Sequence, residues 1–160
     1  MEPETILKEL LTAAGIAYRG IERTEVAGQE IFAIMSDDDA VTRRLIGSHG
    51  DAVHALDLLV KKIYENRMPQ AAAEAEGAKE RVPLFLIDVN DYRTKQIKDL
   101  QAKALMMAER ARSFQYDVEL SPMSSYERLI VHTTLASEPN IKTESQGEGR
   151  NRRVVIKYTA

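Results

Sequence analysis

The 160-residue sequence contains no cysteine. Disulfides and thiolate-held zinc are therefore excluded, which is compatible with a reducing cytoplasm. No apolar run approaches the ~20 residues of a membrane-spanning helix. The start, Met1-Glu2-Pro3-Glu4, lacks the basic residues of a secretory signal. A soluble, cytoplasmic chain without membrane insertion is expected. The usual signatures of catalysis are missing as well. The three histidines do not fall at metal-ligand spacing, and no Ser or Cys nucleophile elbow occurs. There is no P-loop or dinucleotide fingerprint. The acidic runs, Asp37-Asp38-Asp39 and the Glu74/Glu76 stretch, read as a helix start and a solvated linker. No catalytic residue, metal or cofactor is assigned, and an enzyme is not expected.

What is present suits one ordinary domain or two small ones, with 44% hydrophobic residues to build modest cores. The net charge of −3 argues mildly against wholesale electrostatic binding of nucleic acid. Its distribution matters more than its sum. Residues 91–160 carry 12 Lys+Arg against 9 Asp+Glu, whereas residues 1–90 carry 10 against 16.

Taken in order, residues 5–14 place Ile6, Leu7, Leu10, Leu11 and Ala14 at helical spacing, with Gly15 as the C-terminal cap. Residues 16–25 and 30–35 read as a hairpin turning at Ala27-Gly28-Gln29. Ser36-Asp37-Asp38-Asp39 opens a short helix. A longer helix over 51–66 carries the stripe Val53, Leu56, Leu59, Val60 and Ile63. Residues 68–81 read as an exposed connection and 82–89 as an interior strand. In the second half a helix over 94–113 precedes an alternating strand, 116–120. Ser124-Ser125-Tyr126-Glu127 then fits a capping box that starts another helix. Residues 141–145 and 153–158 close as a hairpin. The orders are α-β-β-α-α-β and α-β-α-β-β, an α+β chain with expected domains 1–90 and 91–160.

Between the second and third helices of the first half lies Leu45-Ile46-Gly47-Ser48-His49-Gly50. A tight Gly-x-x-Gly turn lets a partner's backbone approach and aims helix N–H groups outward, a seat for phosphate. A plain helix–helix turn explains the spacing equally well. Ser48 and His49 can hydrogen-bond phosphate, while Ile46 and Val53 either wall a groove against bases or belong to the core. Arg43 and Arg44 precede the turn. His54 reads as structural or solvated. Arg128 and His132, four apart, share a helical face and could grip one phosphate. The alternative is a solvated arginine with a histidine bonded to a nearby carboxylate or carbonyl. Arg150, Arg152 and Arg153 form either a second clamp or the charged edge that blunts strand pairing.

These motifs and their order resemble the bacterial Jag-type (SpoIIIJ-associated) proteins, which join a KH domain to an Arg-x-x-x-His, or R-three-H, domain. The likeness runs through the Gly47–Gly50 turn, Ile87-Asp88-Val89-Asn90-Asp91-Tyr92-Arg93, and Met123-Ser124-Ser125-Tyr126-Glu127-Arg128-Leu129-Ile130-Val131-His132. It continues into Thr143–Gly149 and Arg152–Ile156. The resemblance implies a type II KH domain followed by a small R-three-H domain. It further implies non-catalytic binding of single-stranded RNA, or of single-stranded DNA. Post-transcriptional regulation tied to cell elongation or division and pairing with a small KH-only protein are also implied. On that likeness Gly47, Ser48, His49 and Gly50 form the phosphate loop, and Arg128 with His132 the signature pair. Many relatives carry basic residues between the loop glycines where this chain has Ser48-His49, so weaker attraction for phosphate is expected there. A protein-interaction scaffold with little RNA affinity is the alternative function.

Overall fold

A computed structural model describes residues 2–67 and 85–160. The chain divides into two compact units, Met1–Arg93 and Thr94–Ala160. In the first, α1 (Pro3–Ala13) is followed by the hairpin of β1 (Gly20–Val26) and β2 (Gln29–Met35). Next come α2 (Asp39–Ile46), α3 (Asp51–Arg67) and β3 (Phe85–Val89). The α-β-β-α-α-β order is the one expected. β2 pairs antiparallel with β1 and parallel with β3, in the order β1-β2-β3.

Local chemistry explains the element ends. The Asp38 carboxylate accepts the N–H groups of Ala40 and Val41 at 2.8 and 3.2 Å, capping α2. The hairpin turns on Ala27 and Gly28, both at positive φ, so its loop is two residues long. One face of the sheet and three helices enclose a core. Ile6, Leu7 and Leu11 enter from α1, Phe32 and Ile34 from β2, Val53 and Val60 from α3, and Phe85, Ile87 and Val89 from β3. The Phe85 ring meets Phe32 and Tyr64 edge-on at centroid distances of 5.9 and 5.5 Å.

Three sequence expectations change here. β1 begins at Gly20, not at residue 16. Leu59 is 48% exposed, and Asp57 takes the inward position on α3 instead. There it accepts the Ile87 N–H at 2.9 Å and pairs with Lys61 at 2.8 Å, so a buried acid fills a place apolar periodicity would assign to leucine. β3 is buried at every residue, yet among the described residues it pairs with β2 alone and lies at the sheet edge. The connection expected over 68–81, and residues 82–84 of the expected strand, lie outside the described residues.

The second unit holds α4 (Tyr92–Phe114), β4 (Val118–Glu119), α5 (Ser125–Leu135), β5 (Ile141–Gln146) and β6 (Arg153–Tyr158). β6 is central, flanked antiparallel by β4 and β5. The alternating stretch 116–120 yields only the two-residue β4. Small residues let α4 pack closely: Ala104, Ala108 and Ala111 meet Val131, Leu135, Val154 and Ile156. The Ser124 capping box forms, with Ser124 Oγ accepting the Glu127 N–H and Glu127 accepting the Ser124 N–H. Among the described residues no helix is long and apolar enough to cross a membrane. Nor does any His/Cys/Asp/Glu cluster there suit a metal ion.

Candidate nucleic-acid interface

Three arginines of the second unit converge on one open cleft. Beyond β4 the chain runs beside the start of β6, where the Leu120 N–H donates to the Val154 carbonyl and the Met123 N–H to the Arg152 carbonyl. This pairing sets Pro122-Met123-Ser124-Ser125 against the turn Gly149–Asn151. Arg128, Arg150 and Arg152 line the cleft with Pro122, Met123, Ser124, Ser125 and Gly149. No acidic side chain is among its lining residues. Arg150 and Arg152 are exposed, and among the described residues their guanidinium groups make no hydrogen bond or ion pair. Arg128 differs. It donates to the Met123 carbonyl at 2.9 Å and to Ser125 Oγ at 3.0 Å, which pins its fork across the cleft floor.

The other two residues expected here have different tasks. His132 Nδ1 lies 2.6 Å from Thr143 Oγ1 and its Nε2 2.9 Å from Ser145 Oγ. Hydroxyls can give or accept, so the neutral ring is satisfied on both sides and ties α5 to β5. Burial, and secondarily the Arg128 guanidinium, lower its pKa from the ordinary value. The neighbours are thus hydroxyls, and neither the carboxylate nor the carbonyl that spacing suggested. Arg153, first residue of β6, turns to Glu119 at 2.8 Å as a cross-strand pair and does not line the cleft.

In the first unit the Gly47–Gly50 turn joins α2 to α3. Gly47 stands at φ 76, ψ −168, and a Cβ there would come within 2.7 Å of Ala52 Cβ and 2.8 Å of its nitrogen. Gly50, at φ 82, is buried beneath the Tyr92 ring. Both glycines are therefore demanded by internal packing. Ser48 and His49 remain exposed between them, with Ser48 Oγ 3.1 Å from His49 Nδ1. Arg43 and Arg44 are exposed on α2, as is His54 on α3. Val53 is core and Ile46 is half-buried against it.

Two residues with local influence carried no sequence signal of their role. The Asp51 carboxylate lies against Gly47, its Oδ1 occupying the space a Cβ would need, so a negative charge flanks the turn. Asn90, just past β3, accepts the Ser36 N–H and donates to the Ser36 carbonyl and Thr42 Oγ1, each at 2.9 Å. That bracket fixes the start of α2 and so the helix that leads into the turn.

Comparison with known proteins adds a second line of observation. Residues 98–158 match the R-three-H domain model. The RNA-binding protein KhpB of Bacillus subtilis is 35% identical over 116 residues, covering 71% of this chain and 50% of the relative. KhpB of Lactiplantibacillus plantarum is 29% identical over 125 residues, 78% of this chain and 35% of the relative. KhpB of Clostridium symbiosum is 27% identical over 151 residues, 94% of this chain and 62% of the relative. The chain thus spans about half the length of the first of these relatives and less of the second. The R-three-H match, the KhpB relatives and the element order of both units point the same way: the chain carries an R-three-H domain and is similar to the Jag (KhpB) proteins.

Proposed function

We propose that this chain is a non-catalytic binder of single-stranded RNA, with the Arg128–Arg150–Arg152 cleft as its main backbone clamp. The observation that carries the reading is the convergence of three guanidinium groups on one cleft whose lining holds no carboxylate. Guanidinium forks match phosphate oxygens in shape and charge. The names of the KhpB relatives as RNA-binding proteins support the same substrate. The exposed Ser48-His49 tip, with Arg43 and Arg44 beside it, serves as a weaker second contact through hydrogen bonds. Single-stranded DNA is a competing ligand of the same chemistry. Similarity to the KhpB proteins extends the proposal to cytoplasmic post-transcriptional regulation linked to cell elongation or division, and to pairing with a small KH-only protein.

The test is the double variant Arg150→Ala/Arg152→Ala, chosen because neither side chain is bonded within the described protein. Binding of an unstructured RNA should weaken. The slope of log affinity against log salt should become shallower by roughly 1.4, at ~0.7 per lost single-strand phosphate contact. Unchanged affinity and slope would remove the cleft from the interface. One observation favours the scaffold reading: the loop offers no cation between its glycines and has the Asp51 carboxylate alongside. That reading expects no RNA binding near 0.1 M salt and a protein partner that survives nuclease treatment.

A further inference from the structure

At the C-terminal end of α4 two aromatic rings stand together outside the core. α4 ends at Phe114, Gln115 turns into the left-handed region at φ 54, and the Tyr116 N–H returns to the Ala111 carbonyl at 3.3 Å. This helix-ending turn ordinarily uses glycine at the left-handed position. With glutamine holding it, the rings of Phe114 and Tyr116 lie side by side, centroids 6.0 Å apart and planes inclined by 35°. The Tyr116 hydroxyl accepts from Arg110 Nε at 3.0 Å, which fixes the tyrosine ring. Phe114 is 68% exposed and Tyr116 44%. The whole sequence has only three Phe, six Tyr and no Trp, so an exposed pair is not a by-product of abundance.

We propose that Phe114 and Tyr116 form a stacking platform for unpaired nucleobases, a contact separate from the arginine cleft. It rests on the reading that the chain binds single-stranded nucleic acid. Successive bases stack on exposed rings without regard to sequence. A protein hot spot would instead want a contiguous apolar surface. Here Ser113, Gln115 and Asp117 flank the rings, and Arg110 separates them from the exposed Met106 two turns back. Asp117 follows Tyr116 directly, which offsets the Arg110 charge held at the tyrosine hydroxyl. The contact is therefore made through ring faces and not through phosphates.

The experiment compares the full chain with Phe114→Ala/Tyr116→Ala by fluorescence anisotropy at 0.1 M salt. Two labelled oligomers are used: an unstructured RNA and an abasic ribose-phosphate strand of equal length. The double variant should lose about tenfold in affinity for RNA. It should lose nothing for the abasic strand and keep the wild-type salt slope. A Phe114→Trp variant places the sole tryptophan of the chain on the platform, and its emission should be quenched on adding RNA. Wild-type RNA affinity in the double variant, or unperturbed emission at saturating RNA, overturns the platform. If that result came with loss of a protein partner, the rings would be reassigned to protein docking. A wild-type chain that binds neither oligomer overturns the nucleic-acid reading itself, and the platform with it.

Discussion

His132 on α5 and Thr143 on β5 are joined side chain to side chain, with ring Nδ1 and hydroxyl oxygen 2.6 Å apart. Its other nitrogen being held by Ser145, the imidazole is a strut that sets the angle of α5, and hence of Arg128 four residues earlier. The pKa of the ring is lowered in the folded chain, by burial first and by Arg128 second. The unfolded chain therefore binds the proton more readily. Stability from this residue is complete above the ordinary histidine value of 6.5 and is lost as pH falls through the lowered folded value. The melting temperature measured from pH 8 down to pH 5 should fall more steeply for the native chain than for His132→Gln. Parallel curves would mean the ring titrates as if free.

Gly50 is expected to tolerate no side chain. A Cβ at φ 82 would stand 2.9 Å from Tyr92 Cε1. Gly50→Ala should cost about 1–3 kcal/mol, combining backbone strain with displacement of the ring. In urea unfolding, adding Tyr92→Ala should recover none of the strain, so the double variant remains well below Tyr92→Ala alone.

Asp57 is 2% exposed, accepting the buried Ile87 N–H while neutralising Lys61, with the Arg93 guanidinium 3.7 Å away. Asp57→Ala orphans the amide and leaves Lys61 without its carboxylate, which should destabilise by about 3 kcal/mol. Asp57→Asn keeps an acceptor for the Ile87 N–H and should lose less. Equal losses in urea titrations would show that charge, and not the hydrogen bond, is what the site requires.

Asp51 bears on the turn's affinity for anions. Replacing its carboxylate beside Gly47 by the neutral amide of Asn removes repulsion of about 1 kcal/mol, roughly fivefold in affinity at low salt. The gain should shrink at high salt. Isothermal titration with a short RNA on Asp51→Asn provides the measurement, and weaker binding than the native chain would show the carboxylate to be an organiser of the turn.

Several features were legible because their causes are local. The opening of α2 at Ser36–Asp39 and the Ser124–Glu127 box each need only neighbours within a turn or two. Asp57 was not legible. Apolar spacing cannot register an acid whose partner, the Ile87 amide, lies 30 residues away. The glycines of the turn were visible as glycines, but not that Tyr92 and Ala52 require them.

Sequence by itself determined the two α+β element orders, the Gly47–Gly50 turn and a late concentration of arginines, since these follow from short-range periodicity and residue chemistry. Only the tertiary structure sorted those arginines. The β4–β6 register carries Arg153 to Glu119, while the turn before β6 leaves Arg150 and Arg152 facing Arg128. Arg152 and Arg153 are adjacent and chemically identical, yet one closes the turn and the other opens the strand, and the neighbours each meets are brought there by segments distant in the chain.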